Sequence, residues 1–168
     1  MVEPFMLRRW LYINVLWLLV ACAPEYNWRT VQMAEGAVEQ LFPASPHEER
    51  VAMGGQADNL HYFVASAKVG DAVFIATWIP LLPDQSDQQL YDTVVAGLLQ
   101  RAGQSLKPLP AVGEVFTLQS TGRQQQNVRT DVRVLRYAAG VLQLSVSAED
   151  KASFPDDAAT QFLAFHSN

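Results

Sequence analysis

Residues 60–79 read LHYFVASAKVGDAVFIATWI, in which two apolar runs flank the short glycine-containing turn Val69–Asp71. This arrangement predicts a β-hairpin. In the second run, Phe74 and Trp78 point to one side of an extended chain and Ile75 points to the other, so both faces are apolar. Such a strand is typical of the centre of a sheet that is covered on both sides.

Further short runs with a period of two lie on either side of this hairpin and predict additional strands. The candidates are Trp28–Met33, Ala37–Phe42, Glu114–Thr121, Val128–Ala138 and Val141–Glu149. In the run 128–138, valines alternate with charged residues, so we expect this strand to have one solvent-exposed face for part of its length.

A helical period replaces the strand period at about 87–102. Asp84, Ser86 or Asp87 can cap the start of this middle helix, and Gly103 ends it. A second, C-terminal helix is predicted at about 154–166.

The start of the C-terminal helix is marked by the capping signal Ser153–Asp156. Two helices cannot cover seven or eight strands unless the sheet curls or some strands lie outside it. We therefore predict an α+β domain with a largely antiparallel β-sheet of about six to eight strands.

Composition limits the function classes. The chain has 168 residues, enough for one domain, and 17% are charged against roughly 25% in an average soluble domain. The formal net charge of -5 argues against a surface for nucleic acid or anionic lipid. The single cysteine allows no intramolecular disulfide.

The apolar residues are concentrated near the start of the chain, where WLYINVLWLLVA (10–21) follows Arg8 and Arg9. A charged segment before a short apolar run is typical of an export signal. As a helix this run reaches about 18 Å, whereas the hydrocarbon core is about 30 Å thick. A buried core helix and a signal anchor of a single-pass membrane protein are the alternatives. Translation from either Met1 or Met6 fits this interpretation.

The segment Leu19–Cys22 reads LVAC and resembles the lipobox of bacterial lipoproteins. This resemblance implies that Leu19 is the large apolar residue, that the signal is cut between Ala21 and Cys22, and that Cys22 becomes the lipidated first residue. In that family the cysteine carries a diacylglycerol, and its new amino group is acylated, commonly with palmitate. The start CAPEYNWR also resembles small uncharacterised lipoproteins of Gram-negative bacteria.

The lipobox resemblance implies a division of the chain and an address. Residues 1–21 would be the signal peptide, 22–27 a lipidated tether, and 28–168 one globular domain. The residue after Cys22 is Ala23 rather than Asp, which resembles the default pattern for transfer to the outer membrane. We expect a membrane-anchored, periplasm-facing protein, in the outer rather than the inner membrane.

The order of predicted elements also resembles the α/β/α sandwich of PsbP-type photosystem II extrinsic proteins and of the related Ran-binding import factors. The resemblance rests on Leu41–Pro43 with Pro46 soon after, and on the apolar segment Phe162–Phe165 in the last helix. Those families mostly bind or assemble other proteins, but a shared fold does not carry function with it.

The sequence contains no recognised catalytic constellation. There is no G-x-S-x-G and no H-E-x-x-H, and His47, His61 and His166 are widely spread. Neither a dinucleotide fingerprint nor a phosphate loop surrounds Gly54 and Gly55. We predict no catalytic residue, no metal site and no cofactor.

Four residues are candidates for contact with a ligand or partner. Arg129 and Arg133 should share one strand face with Asp131, either as a patch that faces an anion or as a solvent-exposed ladder of alternating charge. His61 lies beside an aromatic residue in the predicted hairpin, where a plain surface or half-buried role is the alternative. Trp78 is either a core residue or part of an exposed aromatic patch.

Two functions fit these observations. The first is a noncatalytic binding or assembly module of the cell envelope, held at the membrane by its lipid and contacting an envelope protein. The second is a lipid-anchored enzyme or small-ligand binder whose groups converge only in the fold. A deep pocket that gathers His61, an arginine and an acid would favour the second, and a filled core with a flat face the first.

Overall fold

The computed structural model describes residues 25–53, 61–105, 108–122, 125–149 and 154–164. These residues form eight strands and two α-helices, with one turn of 3-10 helix at Ala34–Gly36 between the first two strands. In chain order they are β1 (Arg29–Met33), β2 (Val38–Phe42), β3 (His47–Ala52), β4 (His61–Val69), β5 (Ala72–Pro80), α1 (Asp87–Arg101), β6 (Val115–Thr121), β7 (Asn127–Tyr137), β8 (Gly140–Glu149) and α2 (Asp156–Ala164). The α+β prediction is confirmed.

Six of these strands form one antiparallel sheet in the order β3-β4-β5-β8-β7-β6. Strands β1 and β2 form a separate antiparallel hairpin. Two helices suffice because two strands lie outside the main sheet. Helix α1 packs against β7 and β8 on one face of the main sheet. Helix α2 and the β1–β2 hairpin pack on the opposite face.

The predicted central hairpin is present as β4 and β5, paired from Phe63 opposite Trp78 to Val69 opposite Ala72. Gly70 in the turn has φ +57°, a conformation that favours glycine. Phe74 is fully buried, but Ile75 on the opposite face is half-buried. The difference arises because α1 covers the β6–β7–β8 end of that face, and β5 lies at its border.

Helix α1 begins and ends close to its predicted bounds. Of the three candidate caps, Ser86 caps the helix: its side chain accepts from the backbone N–H of Gln89, whose side chain accepts from the N–H of Ser86. Gly103 has φ +65° just after the helix. The buried side of α1 packs on a cluster that includes Phe116, Leu118, Val132, Val134 and Val141.

Strand β3 is not predicted by the sequence pattern. It reads HEERVA and pairs only with β4 among the described strands, so it lies at an edge of the sheet. An edge strand with polar side chains on both faces carries no apolar alternation, and so it lacks the signal on which strand prediction rests.

Several predictions concern residues outside the described ranges. These include the leader 1–21 with its cleavage site, the lipidation candidate Cys22, the capping residue Ser153 and the end of the C-terminal helix beyond 164. Within the described ranges, no helix is long and apolar enough to cross a membrane.

Helix α2 is fixed to the sheet by an aromatic contact. The ring of Phe162 packs edge-on against Phe42 of β2 and Phe74 of β5, with ring centroids 5.4 Å apart in each pair, and all three residues are fully buried. The buried side-chain amide of Gln40 donates to the carbonyl oxygen of Phe162 at 2.9 Å. The aromatic contact therefore joins β2, β5 and α2 in one core.

We predict that Phe162→Ala lowers the free energy of unfolding by about 3–5 kcal/mol, because it leaves a cavity between Phe42 and Phe74. Urea denaturation followed by circular dichroism measures the change. Gln161→Ala, at an exposed position of the same helix, is the matched control and should change stability by less than about 0.5 kcal/mol. Equal effects of the two substitutions would contradict this account of the core.

Candidate functional site

Strand β7 brings two of the predicted contact residues together. Arg129, Asp131 and Arg133 occupy alternate positions, so they lie on one face of the strand, while Val132 and Val134 point to the α1 side. The charged face is not an open ladder. Helix α2 lies beside it, and Asp131 is only 6% exposed.

Arg129 is bound on several sides. Its Nε donates to Oδ1 of Asp131 at 3.0 Å and its Nη2 donates to Oδ2 at 2.6 Å, in a bidentate pair. A third nitrogen, Nη1, donates to Asp156 Oδ1 at 3.0 Å, and the guanidinium lies 3.9 Å from the ring centroid of Phe154. The hydrogen bond to Asp131 is the largest cause that raises the pKa of Arg129. Thr117 completes the site by donating to Asp131 Oδ1 at 2.7 Å.

Arg133 uses its donors differently. Nε donates to the carbonyl oxygen of Gly113 at 2.8 Å, and Nη1 donates to that of Leu163 at 2.7 Å, in the last turn of α2. A cation at a helix C-terminus stabilises carbonyl groups that lack an intrahelical partner. None of the carboxylates that the structure describes forms a salt bridge with Arg133.

An open groove lies between α2 and β6, which we call the α2–β6 groove. Its volume is about 410 Å³, and Arg133 and Asp131 both reach it. Its other lining residues are Gly113, Val115, Thr160, Leu163 and Ala164. Asp131 is already paired with Arg129, whereas Arg133, which also lines the groove, has no carboxylate partner among the described residues.

An exposed apolar patch adjoins this groove. Leu109, Val112 and Val115 are 37%, 44% and 50% exposed, more than any other large apolar residue in the described part of the chain. We call them the 109–115 patch. Their segment is held in place, because the buried hydroxyl of Tyr91 on α1 donates to the carbonyl oxygen of Pro110 at 2.8 Å.

The sequence alone does not predict this patch. Pro108 precedes the patch, Pro110 lies within it, and Val115 is the first residue of β6, but none of these features shows that three apolar side chains point to solvent. Only the placement of β6 at a sheet edge reveals that.

The other two predicted contact residues do not join the site. Trp78 is 4% exposed and packs edge-on against Tyr137, 5.6 Å between centroids, so it is a core residue. A side chain at Gly140 would approach the Trp78 ring to 2.8 Å, which shows how closely β8 covers it. His61 is half-buried at the start of β4 and does not line the groove. In the part of the chain that the structure describes, no group of three or more His, Cys, Asp or Glu residues could hold a metal.

We predict that Asp131→Asn destabilises the domain by about 1–3 kcal/mol, because it leaves the partly buried guanidinium of Arg129 without its carboxylate. Urea denaturation at neutral pH measures this change. Glu35→Gln is the matched control, since Glu35 forms an exposed ion pair with Arg50 at 3.2 Å. The control should change stability by less than about 0.5 kcal/mol. A loss no larger than that of the control would contradict the structural role of the buried pair.

A second prediction concerns the anchor of the 109–115 patch. Burial, followed by the charges of Asp92 and Glu114, raises the pKa of Tyr91 above 10.0. The folded state therefore favours the neutral phenol, and this stabilisation is complete below pH 10 and is lost as the pH rises through the folded pKa. Tyr91→Phe should cost about 1 kcal/mol at pH 8 through the lost hydrogen bond.

The difference in free energy of unfolding between wild type and Tyr91→Phe should then become smaller above pH 10. Urea denaturation from pH 8 to strongly alkaline buffer measures this difference. Tyr26 and Tyr137, whose pKa values are also raised, are present in both proteins and cancel in the comparison. A difference that stays constant across this range would contradict the assignment.

Comparison with known proteins adds no family to this picture. No protein-family model, curated protein or solved structure matches the chain. The lipobox and the PsbP-like order of elements therefore stay predictions from the sequence. The described features that bear on function are the α2–β6 groove and the 109–115 patch.

Proposed function

We propose that this protein is a membrane-anchored lipoprotein of the cell envelope whose domain is a noncatalytic binding or assembly module. The observation that carries the proposal is the 109–115 patch, where Leu109, Val112 and Val115 are exposed within one short segment. A cluster of exposed apolar side chains beside polar residues is typical of a protein interaction site. Scattered single apolar residues would not support the same conclusion.

The proposed address rests on the LVAC segment at 19–22. Acylation of Cys22 would attach at least two chains, and two chains hold a protein at a membrane stably because each buried methylene contributes about 0.8 kcal/mol. In the proposal the domain faces the periplasm, from the outer rather than the inner membrane.

The arrangement of the domain suits a tethered module. Tyr26, within the proposed tether 22–27, lines the same surface cavity as Asp156 at the start of α2. The α2–β6 groove is lined by Leu163 and Ala164 near the other end of the same helix. Helix α2 has 9 residues and so spans about 14 Å. The groove is therefore displaced from the point at which the tether enters the domain.

The alternative of a lipid-anchored enzyme or small-ligand binder receives less support. The groove gathers one arginine and one acid, as such a site would require. However, both carboxylate oxygens of Asp131 are bound by Arg129, and His61 is not among the residues that line the groove. The groove is suited to holding a partner in place, and its described residues offer no nucleophile next to a base.

The proposal is tested by placing a photocrosslinking amino acid at Val112 and irradiating intact cells of a Gram-negative host. We expect the protein in the outer-membrane fraction and a discrete crosslinked band with an envelope protein. Cys22→Ser should move the protein to the fraction not bound to membranes, because the acyl acceptor is lost.

The same crosslinker at Lys68, an exposed residue of β4, is the matched control and should give no such band. An unmodified Cys22 on a chain that still carries residues 1–21, found by mass spectrometry, would overturn the lipoprotein assignment. Equal crosslinking from Val112 and Lys68, or none from Val112, would overturn the assignment of the binding surface.

A further inference from the structure

We propose that the outer edge of β6 binds an extended segment of a partner protein as an added β-strand, with a carboxylate of that segment against Arg133 in the α2–β6 groove. This inference rests on the proposed function, because it specifies how the binding module would hold its partner. Strand addition of this kind obtains affinity from backbone hydrogen bonds and specificity from pockets beside the edge.

The two edges of the main sheet differ in chemistry. Strand β3 reads HEERVA and carries ionisable side chains along most of its length, whereas β6 reads VFTLQST and carries no charged residue and no proline. Charges and prolines on an edge strand discourage pairing with other chains. The charged residues of β3 therefore discourage its pairing with another chain, whereas β6 has no such protection.

The backbone of β6 presents hydrogen-bonding groups outward at the positions next to the groove. Gly122 donates from its backbone N–H to the carbonyl oxygen of Gln126 on the β7 side at 2.8 Å. Backbone groups alternate in direction along an antiparallel strand. The backbone N–H and C=O groups of the even-numbered residues of β6 therefore face β7. Those of Val115 and Thr117 face away from the sheet.

Gln104 marks the far limit of this open edge. Its side-chain amide donates to the carbonyl oxygen of Gln119 at 3.4 Å. This contact shows that an outward carbonyl of β6 accepts a donor from outside the sheet. It also covers the edge at Gln119, whereas no described residue binds the outward backbone groups of Val115 and Thr117, next to the groove.

The side chains beside the open edge determine what the strand should carry. Val115 lies opposite Arg133 in the β6–β7 register, so both point to the groove side. Leu163 on α2 adds an apolar wall. Arg133 has donors left on Nη2 and no carboxylate partner among the described residues. An acidic side chain or a terminal carboxylate flanked by apolar residues would complement this surface.

A second copy of this chain complements the surface less well. If two β6 strands paired, each would offer VFTLQST, which contains no carboxylate for Arg133. The formal net charge of -5 on each chain also opposes self-association. The occupant with the matching chemistry is a segment of a different protein.

The test uses the full chain and short synthetic peptides of alternating valine and threonine with one interior glutamate, blocked at both ends. Fluorescence anisotropy should show binding that is roughly tenfold weaker when glutamate is replaced by glutamine. A glutamine peptide with a free C-terminal carboxylate distinguishes a terminal carboxylate from a side chain. If neither carboxylate source binds better than the blocked glutamine peptide, the role of Arg133 is overturned.

Variants of the protein test the edge and the arginine separately. Val115→Pro removes one outward N–H at the first residue of β6, a position where proline is tolerated, and should weaken binding about fivefold or more. Thr121→Pro removes an outward N–H beyond Gln104 and is the matched control, expected to leave binding unchanged. Arg133→Gln should abolish the preference for the glutamate peptide over the glutamine peptide. This preference is a ratio of two dissociation constants, so it does not depend on the fraction of folded protein.

Hydrogen exchange of the wild type gives a readout that needs no variant. The glutamate peptide should slow exchange at the amides of Val115 and Thr117 and leave β3 unchanged. Protection elsewhere, or none, overturns the proposal. Loss of peptide binding while Val112 still crosslinks to an envelope protein would overturn strand addition alone, and loss of both would overturn the proposed function as well. If no peptide binds and the protein instead forms a dimer that Val115→Pro abolishes, the proposal of a different partner protein is overturned, and the occupant of the edge is a second copy of this chain.

Discussion

The edge-on packing of Phe162 between Phe42 and Phe74 is the contact that the functional surface depends on. It joins the β1–β2 hairpin, the main sheet and α2 in one core, so the position of α2 on the sheet is set by buried aromatic area. Helix α2 in turn provides one wall of the groove and the carbonyl groups that Arg133 caps. The polar contacts of the groove are thus held in place by the apolar core.

The polar side of β7 follows from that placement. Once α2 lies beside β7, the charges on this face lose water and need partners from the protein. Asp131 obtains them from Arg129 and Thr117, and Arg133 obtains carbonyl oxygens at Gly113 and Leu163. The two arginines therefore differ in what they can still bind. Arg129 is saturated by carboxylates, whereas Arg133 keeps a positive charge without one among the described residues.

Much of the fold could be predicted from sequence because its signals are local. Gly70 and the apolar runs around it define the central hairpin, and Ser86 and Gly103 bound α1. The sharing of one face by Arg129 and Arg133 also follows from a period of two. What they bind could not be predicted, since their partners come from α2 and from the segment before β6. Strand β3 and the 109–115 patch could not be predicted for a related reason. Both depend on which strands lie at the sheet edges, and strand order is not a local property of the sequence.

The unequal edges of the sheet are the feature that stability alone does not explain. An uncharged edge with outward backbone groups at Val115 and Thr117 exposes the protein to unwanted pairing, and charged residues, as on β3, would remove that risk. The unprotected part also lies next to Arg133, the arginine that lacks a carboxylate among the described residues. A neutral edge, an apolar wall and one accessible cation meet at a single groove. Separately each has an ordinary structural explanation, and together they have the chemistry that an acidic, extended partner segment requires.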